Sequence, residues 1–583
     1  MTVFESAFYV FNMLPDGSAL VGGSTRNDTD RPKSEPLEGL FVMAKLSLGA
    51  DDPAKEDFSL RYAPAWFRAW NPSKVALTAL GALSAMALWS ESGSFALGSG
   101  FGNASLGFVL ACLICALVGL PIGYYIARYN LDIDLLTRGA GFGYLGSTVT
   151  SLVYATFTII YLAFEGAIMA QAVTLLTHIN IHISYVIVSV AMIPLVVYGM
   201  KFSSKLQAWT SPVWAVLTVA AIVAVLTSPH AIDHMTSFGN DRAGASGING
   251  LASLSVLSVM SANLSMASQI GEQGDYLRFM PDKTEQNRKS WWAAMLFGGP
   301  GFVVICLVAW FGGLLISGFA AQSIGEGEAN VPVRMFDLAF GRIFGNGEFS
   351  LVLAALFVIL SQVKINVMNA YSGSLSWSNF FSRLLHRHPG RVVWLLLQIA
   401  IGLVVMELGV FNAITVVLGI YSNVAIAWIG CITSDLVINK KLLKLAPPAI
   451  EFRRAYLYNI NPVGFVSMII AAVVAVVAHF GVFGAVLAQS SALVSLVLAL
   501  MLPPVVAALT KGKYYLARQP DLPSDAADQP CVRCATTFDE VDLADCPFMD
   551  GVICSLCCST HGECHDMCKK AVVDLGIPVV SSA

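Results

Sequence analysis

The chain has 583 residues, of which 56% are hydrophobic and only 12% charged. A soluble domain carries about 25% charged residues, so this composition excludes a soluble globular protein and calls for an apolar solvent. The formal net charge of −4, from 34 basic and 38 acidic residues, points to no particular partner.

In chain order, residues 1–73 read as a cytoplasmic N-terminal arm. Residues 1–50 mix short apolar patches with Gly, Asp, Pro and Ser and read as poorly ordered, with the FYVFNML stretch as an alternative docking element. No basic region followed by an apolar run and a cleavage site opens the chain, so no removable signal peptide is expected.

Residues 74–510 hold twelve apolar runs, near 74–98, 104–127, 147–176, 181–199, 207–228, 249–270, 291–317, 350–372, 391–409, 411–436, 464–485 and 487–509. A bilayer core about 30 Å thick needs roughly 20 apolar residues per helix, so the reading is an all-α polytopic membrane protein with twelve spans. The ninth and tenth runs are separated by little more than Glu407 and Gly409. Basic residues crowd alternate loops: Arg128 and Arg138; Lys201 and Lys205; Arg278 to Lys289; Arg383 to Arg391; Lys440 to Arg454. The other loops hold only Arg242, Arg334 and Arg342, which places both termini on the cytoplasmic side of an inner membrane. His386 and His388, among arginines, read as part of a lipid-facing basic patch.

After a Pro/Asp/Ala-rich linker over 511–530 comes a Cys-rich module, 531–570, and a short tail, 571–583. Cys112, Cys115, Cys306 and Cys431 lie within spans and read as small core residues. The module holds Cys531, Cys534, Cys546, Cys554, Cys557, Cys558, Cys564 and Cys568, with His561 and His565. In a reducing cytoplasm thiolate ligation is favoured over disulfides, and these ten donors suffice for two tetrahedral zinc sites. An iron–sulfur cluster and an unliganded redox thiol cluster are the alternatives, and the ligand pairing stays open. A segment with so small a core would need metal to fold.

An ionisable residue inside a span costs roughly 2.5–3.5 kcal/mol to insert, so each is a functional candidate. Glu91, Glu165, Lys364 and Asp435 stand out, against the alternative of structural ion pairs. The first span clusters Ser90, Glu91, Ser92, Gly93 and Ser94 at its middle, and the sixth has Ser261, Asn263, Ser265, Ser268, Gln269 and Gly271. Such runs interrupt helices at the midplane site of inverted-repeat transporters, although Gly and Ser also permit close packing. No Walker, kinase or dinucleotide motif is present, and nothing indicates nucleic-acid binding.

Five segments carry a resemblance. GEQGDYLRFMP (271–281) resembles the D-Y-x-R-[FY] signature of nucleobase cation symporter family 1, the purine and cytosine permeases. EDFSLRYAPAWFRAW (56–70), RGAGFGYLGSTVTSL (138–152), SQVKINVMNAYSGSLSWSN (361–379) and GCITSDLVI (430–438) are similar to that family's segments in the same order. The likeness covers about 56–510. It implies a 5+5 inverted-repeat core like that of sodium-coupled amino-acid transporters, two peripheral helices and alternating access. Carried over by position, it implies substrate contacts at Tyr161, Glu165 and Met266; Glu91 and Asn263 in the interrupted spans are further candidate contacts, as are Asn366 and Asn369 in the eighth, with helix packing as the alternative for the two Asn. Tyr161 stands where members commonly have a stacking Trp, and Met266 falls at the second aromatic position, so one stacking wall is weakened.

The positions equivalent to a sodium site include Ser361 and Lys364. An ammonium there repels a cation by on the order of 4 kcal/mol at about 4 Å in an effective dielectric near 20. Proton coupling or uncoupled transport is therefore expected, with Glu91 or Glu165 as the partner of Lys364, or else a permanently charged structural lysine. Asp275, Arg278 and Asp435 are candidate gating residues, with a plain helix-end role as the alternative. The expected function is a secondary transporter for a small nitrogenous solute, nucleobase-like or cationic. The alternative is a solute-sensing module with the Cys-rich tail as output to a cytoplasmic signalling partner. ICSLCCSTHGECHDMCK resembles a segment that follows permease-like domains in some hybrid sensor histidine kinases, so a reading frame continuing into a kinase is the discriminating observation.

Overall fold

The computed structural model describes residues 60–569 except 65–67, 69, 83, 246, 521 and 523–528, with the backbone alone at 82 and 199–201. The unit Met1–Leu46 and the remaining arm to residue 59 lie outside these residues, as does the 571–583 tail.

Apolar runs become helices because a helix satisfies every backbone polar group within its own segment, which hydrocarbon demands. A broken pair comes first, α1 (Pro72–Ala82) and α2 (Ala87–Ser99). There follow α3 (Phe101–Tyr129), α4 (Thr148–Thr177), α5 (Ile181–Val197) and α6 (Gly199–Leu226). A second broken pair, α7 (Leu254–Asn263) and α8 (Gln269–Leu277), is joined by a 3-10 turn over Leu264–Ser268. Then come α9 (Arg288–Gly298), α10 (Phe302–Ile324), α11 (Pro332–Phe344), α12 (Gly347–Leu385) and α13 (Arg391–Glu407). Gly409, at φ 78°, makes the sharp turn that separates α13 from α14 (Val410–Ser434). α15 (Pro462–His479) and α16 (Ser491–Thr510) complete the set. Among the described residues, eight helices are long and apolar enough to cross a membrane. The other four expected runs hold the two broken pairs and the 17-residue α5 and α13.

The first break does not lie where the polar cluster suggests. It falls at residues 84–86, whereas Ser90 to Ser94 are helical within α2. The small residues there serve packing: a Cβ on Gly93 would come within 2.8 Å of the Asn330 Cβ, and one on Gly313 of α10 within 2.3 Å of the Ser92 hydroxyl. The second break lies inside the expected Ser261–Gly271 segment, and α14 packs on its 3-10 turn.

The face bearing the basic loops, here the tail face, also carries the Cys-rich module. That module is not all helical. β1 (Leu543–Cys546) pairs antiparallel with β2 (Gly551–Cys554), followed by the one-turn helix α17 (Ser555–Thr560). The start of the expected linker is ordered too: Ala517 donates its N–H to the Tyr456 carbonyl at 2.8 Å, and Tyr515 is buried.

Candidate functional site

Both helix breaks line one cavity. Its apolar wall includes Ala85, Leu88, Phe157, Tyr161, Met266 and Ile365, and its polar groups are Glu165, Gln269 and Asn369. The rings of Phe157 and Tyr161 lie 4.8 Å apart at 50° and form one aromatic side. The Nδ2 of Asn369 is buried without a hydrogen-bond partner, an amide group left available to a ligand.

The first break explains Glu165. The N-terminus of α2 exposes unpaired N–H groups and the positive end of its dipole. The Ala87 N–H donates to Glu165 Oε1 at 3.3 Å, and Gln362 Nε2 donates to Oε2 at 2.5 Å. A carboxylate at a helix start contributes about 1–2 kcal/mol when partly buried. Glu165 therefore caps the half-helix while forming part of the cavity wall.

Lys364 has a different partner from the expected one. Its Nζ donates to Ser211 Oγ at 2.7 Å and Thr210 Oγ1 at 3.2 Å on α6, and it forms no ion pair among the described residues. The expectation of a Glu91 or Glu165 partner is corrected, because the lysine side chain leaves α12 towards α6. Ser361, one turn earlier, does meet the break: its hydroxyl donates to the Ser84 carbonyl at 2.5 Å and accepts from Trp214 Nε1 at 2.9 Å.

Of the expected substrate contacts, Tyr161, Glu165, Met266 and Asn369 line the cavity. Glu91 is fully buried outside that lining, with both carboxylate oxygens lacking a partner. Asn263 lies outside it as well, its Nδ2 bonded to the Val259 carbonyl at 2.9 Å. Asn366 lines a separate apolar space with Leu162 and Met192, since each helical residue turns its side chain about 100° from the last, here away from Ile365. Gln362 and Phe157 were missed. Glu272, fully buried on α8, was missed because the GEQGDYLR motif was placed at the span's exit.

The gating residues separate. Asp275 accepts from Ser372 Oγ at 2.5 Å and Tyr154 OH at 3.0 Å. Arg278 instead pairs with Asp132 at 3.0 Å, both buried, across the end of α3. Asp435 is held by Tyr515, by Asn439 at 3.1 Å and by Lys440 at 3.8 Å, a fixed anchor for the start of the linker. Arg383 is no lipid-facing loop residue. It is fully buried at the end of α12 and donates to the Tyr144 carbonyl at 2.8 Å and to the Ser147 and Ser151 hydroxyls at 2.6 and 2.7 Å. His386 is not part of a lipid-facing patch either, because its Nδ1 lies 3.1 Å from the Ser559 carbonyl of the module.

In the module, the thiols of Cys531, Cys534, Cys554 and Cys557 all lie within 4.8 Å of one another. Tetrahedral zinc with sulfur at 2.3 Å needs sulfurs about 3.8 Å apart, so the set fits a closed structural site. The Cys554 N–H donates to Cys531 Sγ at 3.3 Å and the Cys557 N–H to Cys554 Sγ at 3.5 Å, bonds that steady thiolate ligands. Hydrogen bonds from the Cys554 and Cys557 thiols hold Cys531 far below the ordinary cysteine range. His565 is exposed and does not belong to this set.

A family pattern described as permease for cytosine/purines, uracil, thiamine and allantoin matches residues 63–500. The fold is similar to that of Mhp1, a nucleobase-cation-symport-1 family transporter, in a closed conformation with bromovinylhydantoin bound. The TM-score is 0.55 at 16% identity, over 79% of this chain and 96% of that one. Inward-facing Mhp1 matches at TM-score 0.55 and 17% identity, over 77% and 93% of the two chains. A sodium-coupled sialic acid symporter in a substrate-bound, outward-open state matches at 0.50 and 12% identity, over 81% and 96%. No curated protein matches the chain in sequence.

Proposed function

The chain belongs to the family of permeases for cytosine and purines, uracil, thiamine and allantoin, and from that membership we propose that it moves a small planar nitrogen heterocycle by alternating access and without sodium. It is a secondary transporter for nucleobase-like solutes.

The observation that carries the substrate class is the capping of α2 by Glu165 inside the cavity. In transporters with broken helices, a half-helix N-terminus commonly receives an anionic substrate group. Here the protein's own carboxylate holds that place, so an anionic solute is repelled and a ring with N–H donors is favoured. Asn369 and Gln269 supply amide groups for ring carbonyls, and Phe157 with Tyr161 supplies an aromatic wall. A neutral lactam or imide ring, or a cationic amine, satisfies all three.

Ser361 and Lys364 argue against sodium. The Ser84 carbonyl at the break already accepts the Ser361 hydroxyl, and the Lys364 charge lies on the same helix. A proton is the expected coupling ion, with Lys364, Glu91 and Glu165 as its candidate carriers. The basic-loop bias supports twelve crossings with both termini in the cytoplasm. The Arg278–Asp132 pair and the Asp275 cluster then close the cytoplasmic exit. Zinc in the Cys531, Cys534, Cys554 and Cys557 set holds the module together. A sensory role finds support in the docking of that module on the tail face.

Binding of labelled uracil, cytosine, hydantoin and allantoin to the purified protein tests this reading. At least one should bind saturably, with Glu165→Gln weakening it ten-fold or more. Binding of none, or tight binding of a carboxylate solute alone, contradicts it.

A further inference from the structure

Once four thiols are gathered at the first cluster, the remaining four do not scatter. Cys546, Cys558, Cys564 and Cys568 all line a second, small pocket, and His561 lines it too, with their ligand atoms spaced more widely than those of the first set. The donors come from the end of β1, from α17 and from the turns after it, so the tertiary fold and not local spacing brings them together. The two sets interlock. Cys557 and Cys558 are adjacent on α17 and about 100° apart around its axis, so each faces a different set.

Packing alone does not explain this arrangement. Four thiols from separate segments share one pocket with an imidazole, and the His561 Nε2 is buried there without a hydrogen-bond partner among the described residues. A buried ring nitrogen beside several thiols is a donor suited to a metal ion. The two carboxylates at the rim are otherwise engaged. Asp545 pairs with Arg518 at 3.4 Å, and Asp566 with Arg454 at 3.0 Å and Lys569 at 3.2 Å. The donor set is therefore sulfur-rich with one imidazole, which suits a thiophilic divalent ion such as zinc.

The same residues carry the docking of the module. Arg454 Nη1 donates to the Cys558 carbonyl at 2.8 Å and the His561 carbonyl at 2.6 Å. Asn459 donates to Asp566 at 3.1 Å. The segment bearing Arg454 and Asn459 in turn receives the N–H groups of Tyr144 (to the Tyr458 carbonyl), Leu145 and Gly146 (both to Asn459) at 2.7–2.9 Å. Arg383 ties that same 144–147 backbone to the end of α12. An ion joining Cys558 to Cys564 and Cys568 would fix the carbonyls that Arg454 grips.

We propose that Cys546, Cys558, Cys564 and Cys568, with His561 as the competing nitrogen donor, form a second metal site, and that its occupancy holds the Cys-rich module on the 450–461 segment and so braces the tail-face ends of α4 and α12.

Zinc content of the full chain, purified in detergent with zinc supplied, tests the site. Two zinc ions per chain are expected, one in Cys564→Ser/Cys568→Ser and one in Cys531→Ser/Cys534→Ser. Because either variant can unravel the module, cobalt titration of the metal-stripped wild type gives an independent count. Thiolate-to-cobalt absorption should saturate at two equivalents. Saturation at one equivalent, or acid-labile sulfide with iron in the wild type, overturns the second site. Hydrogen exchange reads the docking: residues 454–459 should lose protection at least ten-fold in the Cys564/Cys568 variant. Unchanged protection there, with one zinc lost, overturns the bracing role.

Discussion

The Lys364 ammonium donates to the Ser211 hydroxyl at 2.7 Å, binding α12 to α6 beside the first helix break without any carboxylate in the pair. Hydroxyls offset little of the cost of burying a charge, so this charge is not paired with an anion that sodium entry would compete for. Uptake should therefore proceed in choline buffer as fast as in sodium buffer. Lys364→Met should lose at least ten-fold of concentrative uptake while leaving solute exchange. Strict sodium dependence of the wild type would refute this account of Lys364.

Arg278 and Asp132 form a buried ion pair on the tail face. Removing one partner of such a pair strands the other charge and costs about 3–5 kcal/mol. Asp132→Ala should lower the thermal midpoint in detergent and make the cavity more accessible to a polar thiol reagent at Cys306, which lines it on α10. Stability equal to that of the wild type would show the bridge to be a minor contact.

Phe157 and Tyr161 make the aromatic wall. Phe157→Ala should weaken solute binding by about ten-fold, from the roughly 1–2 kcal/mol a buried ring contributes. Tyr161→Phe keeps the ring and should change affinity less than three-fold. Equal losses in both would assign recognition to the Tyr161 hydroxyl instead.

Among the described residues, neither carboxylate oxygen of Glu91 has a hydrogen-bond partner that its removal would break. Glu91→Gln should leave the thermal midpoint unchanged or raise it, because a neutral amide is cheaper to bury than an unpaired carboxylate. A fall of several degrees would mean that the carboxylate has a partner in the working protein.

Zinc uptake by the module should weaken as pH falls, because each thiol must give up a proton to bind metal. Competition against a chromophoric chelator should show tighter binding at pH 8 than at pH 6. Affinity independent of pH would exclude thiolate ligation.

The helices were legible because the apolar runs are long and uninterrupted, and the second break because its polar residues coincide with it. The first break was misplaced. Ser90 to Ser94 combine low helix propensity with small volume, and only the neighbouring Gly313 and Asn330 show that volume is what counts. Lys364, Glu165 and Asn369 were found as polar residues in apolar runs. Their partners were not, because spacing along one helix does not say which neighbour a side chain meets. Arg383, Asp132 and Glu272 were passed over for a related reason. Charges near span ends read as solvated loops, and here the packing of other segments buries them. In the module, C-x2-C spacing is compatible with several pairings, and the fold brings the thiols of Cys531, Cys534, Cys554 and Cys557 within 4.8 Å of one another.

The central claim is that the cavity at the two helix breaks carries a planar nitrogen heterocycle across the membrane. Uptake of labelled uracil, cytosine, hydantoin and allantoin into proteoliposomes, with an inward proton gradient and no sodium, tests it most directly. The account predicts accumulation of at least one of them above its outside concentration, abolished by collapsing the gradient and by Glu165→Gln. Uptake of all four no faster than into protein-free liposomes would contradict it.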